Sequence, residues 1–349
     1  MSIKVLEIGG YAAGYFGRLF ARQGAEVTRL ELEAESAAWA SSEAMHLFLH
    51  EGKKSVAFKN AAEVVDYAGA VDVVVCEAES ANALDALRFD DWQTNIKVAI
   101  TPFGRTGPKR NWQATPSTLL AMGGYTFLMG DPERAPLNLP GHYLEFQTGA
   151  IAYSAAVASI FADQSDTLDV SMLETVLSLT QFTHVRWHCA RDIRQRHGND
   201  FYFVVPSNLF KTQDSGWVYI NIVPAFWDAF TVFIEMPELL IDERFATNDL
   251  RIKHRDALYK LAVDVIASWT TEACVRRAEA ARIPLGVVQT FDDVLKDPHL
   301  VSRDFWETVV CKGNDIVLPR GGYQLRDPDN ALMSGVRQGA AARSKRPNL

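Results

Sequence analysis

A chain of 349 residues, 48% hydrophobic and 22% charged, has ordinary globular composition and is long enough for one large domain and a smaller one. A net charge of -8 argues against a general nucleic-acid binder, and no apolar run approaches the roughly 20 residues of a membrane span. Four cysteines without a CxxC pairing suggest neither a disulfide framework nor a zinc site; with no signal-like start, they point to a soluble protein of the reducing cytoplasm that needs no metal.

The chain opens with IKVLEI, a short apolar strand ending at Gly9 and Gly10. YFGRLFARQGA then has helical spacing, stopped by Gly24, and EVTRLEL is a second strand. This is a βαβ unit, the repeat that builds parallel sheets. SVAF, VDVVVCEA and IKVAITPFG continue the strands, with AAEVVDYAGA and NALDALRFDDW as helical links, which predicts an open α/β sheet over residues 1 to about 130. The glycines of GGYAAGYFG, at 9, 10, 14 and 17, fail the GxGxxG spacing of a dinucleotide site, although Glu31 closes the second strand where a ribose ligand would sit. A tight turn is the better account of them.

A long helix is expected from Thr148 to about Asp163, and LDVSMLETVLSL reads as a strand running into another helix, with Asp169 as its cap and Glu174 structural. The composition shifts at RQRHGNDFYFVVPSN. LFKTQDSGWVYINIV follows as a hairpin turning at DSG, and then helix succeeds helix to about residue 305, with Trp217, Trp227 and Trp269 expected in the core. The expected division is a large Rossmann-like domain over 1–200, a small α+β domain over 201–310, and a C-terminal return over 311–349 whose basic end is polar enough to stay disordered.

Few residues offer chemistry. Glu145, in LPGHYLEFQTGA, sits at the mouth of an apolar helix; it either complements the helix dipole or serves as a half-buried nucleophile or proton carrier, and spacing leaves both open. His184 and His188 share a helical face but lack a third ligand, so packing or solvation is the expectation. Arg105, Lys109 and Arg110 form a basic loop at the sheet edge where α/β ligands bind, and Lys53 with Lys54 forms a smaller one; either suits phosphates or open surface.

The succession VLEI, AAGYFGRLFARQGAEVTRLE, GKKSVAF, VDVVV, ITPFGRTGP, LDVSMLETVLSL, MPELLIDERFATNDLRIKHRDAL and RIPLGVVQTFDDVLKDPHLVSRDFW resembles the family III CoA-transferases over residues 3 to about 325, and FGRTGP and DPHLVSRDFW are specific in order and separation. The family includes formyl-CoA and carnitine CoA-transferases and α-methylacyl-CoA racemase. The resemblance implies an interlocked dimer, of two identical chains or with a relative. It implies transfer of CoA between an acyl-CoA and a small carboxylic acid through a carboxylate-bound anhydride and then a thioester. The family's aspartate, placed just ahead of a small-residue helix, corresponds by its distance from Gly149 to Glu145. CoA would dock at the N–H groups of Tyr11, Ala12 and Ala13, with Arg105 and Lys109 for its phosphates and His142 near the carboxylate.

Departures from the family pattern cluster at the CoA cleft. Ala13, Gly14 and Tyr15 replace an Ala-Gly-Pro turn, Glu77 to Ala81 replace Glu-Asn-Phe and Pro-Gly, and Ala86 stands for an arginine. The racemase histidine falls near Thr115, so racemase chemistry is disfavoured. The competing reading is a catalytically degenerate subunit paired with an intact relative.

Overall fold

The structure is a computed structural model describing residues 2–32, 43–201, 203–311 and 313–324. The expected disordered tail lies outside the described residues beyond 324. Contacts divide the chain into two units. The larger comprises a stretch ending at Phe127, Asn138–Arg194, and a return beginning at Thr308; the smaller holds Leu128–Leu137 and Gln195–Glu307.

In the larger unit, β1 (Lys4–Ile8), α1 (Tyr11–Arg22), β2 (Glu26–Leu32), α2 (Glu43–His50), β3 (Lys54–Phe58), α3 (Ala61–Ala68), β4 (Val73–Glu77), α4 (Ala81–Ala86), β5 (Ile96–Thr101), α5 (Pro116–Met122), α6 (Tyr143–Phe161), β6 (Asp166–Ser171), α7 (Met172–Leu179) and α8 (Gln181–Ala190) follow in order. The six strands pair in parallel in the order β3-β2-β1-β4-β5-β6. Helices cover both faces, so the central strands are buried on both sides and read as the apolar run VVVC and as VLEI, apolar but for Glu7. The chain winds outward from β1 to β3 and returns to β4. That reversal opens a crevice beyond the C-terminal ends of β1 and β4.

One side of the crevice is α1 packed on α6. Ala12, Ala13, Phe16, Phe20 and Ala21 of α1 bury with Leu144, Ala152 and Ala156 of α6 in one core. The helices come close because Gly149 is bare: a Cβ there would lie 2.4 Å from the Ala12 carbonyl oxygen. Arg18, buried on the other side of α1, donates to the Phe48 carbonyl and, at 3.0 and 3.4 Å, to the carbonyls of Pro319 and Arg320. The returning end of the chain is thereby fastened to its first helix.

The smaller unit carries the expected hairpin, β7 (Ser207–Lys211) with β8 (Trp217–Asn221), to which β9 (Leu285–Val287) adds a third antiparallel strand. Phe210, Ile220, Trp227, Phe230 and Phe245 fill its core. Trp227 is buried as expected, but Trp217 is 43% exposed, because its position on β8 alternates away from the buried Val218 and Ile220.

Three further local expectations change. The long helix begins at Tyr143 rather than Thr148, so Glu145 lies inside its first turn instead of ahead of it. Ser171, not Asp169, caps α7, accepting the Glu174 N–H at 3.3 Å; Asp169 lies in β6 and accepts the Arg105 N–H. Lys53 is no surface base: it is buried against Glu7.

Candidate active site

α6 starts with His142 at its N-cap and Glu145 three residues on, so the carboxylate meets the positive end of the helix dipole. Residues 142, 145 and 149 share one helical face. His142 stacks on Tyr11 of α1 with ring centroids 4.0 Å apart, and Gly149 abuts Ala12, so Glu145 between them faces the first turn of α1. The Glu145 residue is 6% exposed. Its Oε1 lies 2.9 Å from His142 Nδ1, and its Oε2 has no hydrogen-bond partner among the described residues. A buried carboxylate with one oxygen held and one unoccupied is suited to attack an electrophile.

A second carboxyl reaches the same turn. Glu77, the last residue of β4, accepts the Ala13 N–H at Oε2, 2.9 Å away. Gly9 and Gly10 make room: a Cβ at Gly9 would lie 2.5 Å from the Glu77 carbonyl oxygen, and one at Gly10 would lie 2.9 Å from Glu77 Oε1. Gly9 also has a φ of 119°, which side-chain-bearing residues rarely adopt. Burial pushes the Glu77 pKa up to about 7; the N–H bonds of Ala13, Ala12 and Gly10 oppose the rise and the charge of Glu145 adds to it. The end of α1 where a dinucleotide phosphate would bind therefore faces a carboxyl from its own chain.

The other expected site residues separate. Tyr11, Ala12 and Ala13 form the first turn of α1 beside Glu145, with the Ala13 N–H engaged by Glu77. Arg105 pairs with both oxygens of Asp90 at 2.7 and 2.8 Å and lies over Phe89. Arg110 pairs with Asp85. Lys109 lies over the Trp112 ring, 4.8 Å from its centroid. Glu31 binds Arg29 at 2.8 Å. His184 bonds the Thr180 hydroxyl at 3.0 Å, and no group of three or more metal-ligating side chains occurs among the described residues.

Sequence reading missed Glu77 as a site group and missed a second buried cluster altogether. Glu7 of β1 contacts Lys53 Nζ, lies 3.4 Å from His50 Nδ1 and 3.9 Å from Arg29 Nε. The available signals were an acidic residue inside an otherwise apolar central strand and Gly17 opposite it, where a Cβ would stand 1.8 Å from Glu7 Oε2.

The larger unit is thus an open parallel α/β sheet with a buried carboxylate, Glu145, beside its topological crevice. The chain belongs to CoA-transferase family III, whose description matches residues 1–329. It is similar to the succinyl-CoA–D-citramalate CoA-transferase of Chloroflexus aurantiacus, 29% identical over 60% of this chain and 53% of that protein, so that match spans about half the relative's length. It is also similar to the alpha subunit of a succinyl-CoA–L-malate CoA-transferase from Chloroflexus aurantiacus, 24% identical over 91% of this chain and 80% of the relative. Among solved structures, a CaiB/BaiF family protein from Brucella suis shares the fold with a TM-score of 0.80 at 21% identity, covering 96% of this chain and 94% of that one. The family expected from the sequence, its fold class and its enzyme class therefore stand, and the degenerate-subunit reading is not favoured.

Proposed function

We propose that this protein moves CoA between an acyl-CoA and a small carboxylic acid, with Glu145 as the covalent carrier. The observation that carries this is the unpartnered Oε2 of a buried carboxylate whose other oxygen is fixed by His142. Oε2 attacks the thioester carbonyl; the C–S bond breaks, its electron pair leaving with the CoA thiolate, and a mixed anhydride remains on Glu145. The thiolate attacks the glutamyl carbonyl and expels the first acid as its carboxylate. The acceptor carboxylate then attacks the glutamyl thioester, and the thiolate finally takes the new acyl group, returning Glu145 to its free state. No base is needed, because a carboxylate is ionised at neutral pH.

Relatives named for malate, citramalate and glutarate support a short dicarboxylate as acceptor and succinyl-CoA as donor. CoA lies along the first turn of α1 in this reading, flanked by Tyr11 and Ala12, with its phosphates toward Lys109, which has no carboxylate partner among the described residues. His142 orients the attacking group. A second chain covers the face of α7 and α8, where Phe182 and Val185 are 55% and 60% exposed and α8 buries none of its residues; the malate relative's alpha and beta subunits are consistent with either a like or an unlike partner. No described helix is long and apolar enough to cross a membrane, and four cysteines outside any disulfide suit a reducing compartment such as the cytoplasm.

The test is trapping. Incubation with succinyl-CoA, then hydroxylamine or borohydride and mass spectrometry of the peptide containing Glu145, gives an adduct that Glu145→Gln lacks. An adduct on another residue, or none from protein that binds succinyl-CoA, overturns the assignment.

A further inference from the structure

The two oxygens of Glu145 have different surroundings. Oε2 has no hydrogen-bond partner among the described residues, whereas Oε1 lies 2.9 Å from His142 Nδ1. A carboxylate has no proton to give, so Nδ1 carries the hydrogen and donates it. The ring that presents this N–H is half-buried and fixed from two sides. His142 is the N-cap of α6, one turn before Glu145, and its face lies on Tyr11 of α1 with centroids 4.0 Å apart; the Phe146 ring follows at 6.1 Å.

The two oxygens also have different fates. Once Oε2 has taken the acyl group, Oε1 is the carbonyl oxygen of the mixed anhydride. When the CoA thiolate attacks the glutamyl carbon, the carbonyl electron pair moves onto Oε1; it returns as the bond to Oε2 breaks and the first acid leaves as its carboxylate. When the acceptor carboxylate attacks the glutamyl thioester, a pair moves onto Oε1 again and returns as the C–S bond breaks and the thiolate leaves. We propose that His142 is a catalytic residue for these two steps, its Nδ1–H being the donor that stabilises the oxyanion formed at Oε1. This rests on the reading of Glu145 as the nucleophile. A spacing of 2.9 Å falls within the range of about 2.7–3.1 Å at which such donors act. Oε1 stays bonded to the protein throughout, so the donor is in place before any substrate arrives. Its hydrogen bond strengthens as Oε1 passes from neutral carbonyl to anion, which lowers both barriers; the resting carboxylate is already held by it, so the first attack by Oε2 gains nothing from the N–H.

Two variants separate the donor from the packing. His142→Phe keeps a ring against Tyr11 but has no N–H, whereas His142→Asn gives up the ring and keeps a side-chain N–H at the same distance from the backbone. Rapid-quench mass spectrometry of the Glu145 peptide after mixing with succinyl-CoA follows the succinyl adduct and the glutamyl-CoA thioester separately, and steady-state assay with L-malate as acceptor reads kcat. In His142→Phe the succinyl adduct is expected to form as in the wild type, while the glutamyl thioester forms about 10²–10³-fold more slowly and kcat falls alike, the usual loss when one oxyanion donor is removed. His142→Asn is expected to keep kcat within about tenfold of the wild type, because an amide N–H serves as such a donor. A glutamyl thioester formed by His142→Phe at the wild-type rate overturns the proposal, and so does loss of its succinyl adduct, which would leave His142 an orienting group alone. A fall in His142→Asn as large as that expected of His142→Phe also overturns it, whether or not the phenylalanine variant folds. A wild type that carries neither adduct on Glu145 overturns the nucleophile reading itself.

Discussion

Two carboxyl groups of the central strands flank α1, Glu7 buried and Glu77 half-buried, and their surroundings push them in opposite directions. Glu7 is met by Lys53, Arg29 and His50; burial alone would raise its pKa, but the Lys53 charge and the His50 hydrogen bond outweigh that and hold it below the usual carboxylate range. Glu77 has backbone N–H groups and another carboxylate for company, and its pKa rises to about 7. The same side chain is a compensated structural ion in one place and a proton holder in the other. What differs is whether cations were buried with it.

The sharpest break in this comparison is at the uncompensated site. Glu145→Gln is expected to lower CoA-transfer kcat by roughly 10⁴-fold or more while the protein keeps its fold, checked by chromatographic assay of succinyl-CoA consumption and by circular dichroism. At the compensated site the loss falls on stability instead. Lys53→Met strands Glu7 in the core and should cost about 3–5 kcal/mol in urea unfolding. Gly149→Ala, which touches neither charge, forces α6 away from the Ala12 carbonyl and should cost about 1–3 kcal/mol, with kcat falling because Glu145 moves with its helix.

The smallest effect is the dependence of stability on pH. The folded state keeps the Glu77 proton up to about pH 7, whereas the unfolded chain releases it near 4.5, so this group's contribution is greatest at low pH and is lost as pH rises through that window. His50 works in the opposite direction: burial lowers its pKa from 6.5 to about 4, and its contribution is lost as pH falls. The informative quantity is therefore the difference between proteins. Relative to Glu77→Gln, the wild type should lose stability between pH 4.5 and 7, and parallel urea midpoints across that range would contradict the raised pKa.

Strand order and the family were legible because they rest on runs of residues. VLEI, VVVC and IKVAIT announce buried parallel strands whatever surrounds them, and FGRTGP and DPHLVSRDFW are specific in their order and separation. Glu145 stood out in the sequence by its place at the mouth of an apolar helix and by its distance from Gly149, and its contact with His142 became visible once the helix started at Tyr143 and placed the two residues one turn apart. Glu77 and Glu7 were not legible as a contrasting pair. Their characters depend on partners 64 and 46 residues away, brought together by the sheet and by glycines that carry no chemistry of their own. Lys53 shows the same limit, since a basic dipeptide before a strand looks the same whether it faces water or a buried carboxylate.

The bonds from Arg18 to the carbonyls of Pro319 and Arg320 also bear on how the protein is made. The Phe48 carbonyl that also accepts from Arg18 is made soon after α1, but the other two acceptors are synthesised about 300 residues later. At about 5–20 residues per second, this delay is about 15–60 s. For the later part of that interval, after β6 has been made, the nascent larger unit has its sheet residues and the Phe48 contacts of Arg18, while water takes the place of the last two carbonyls.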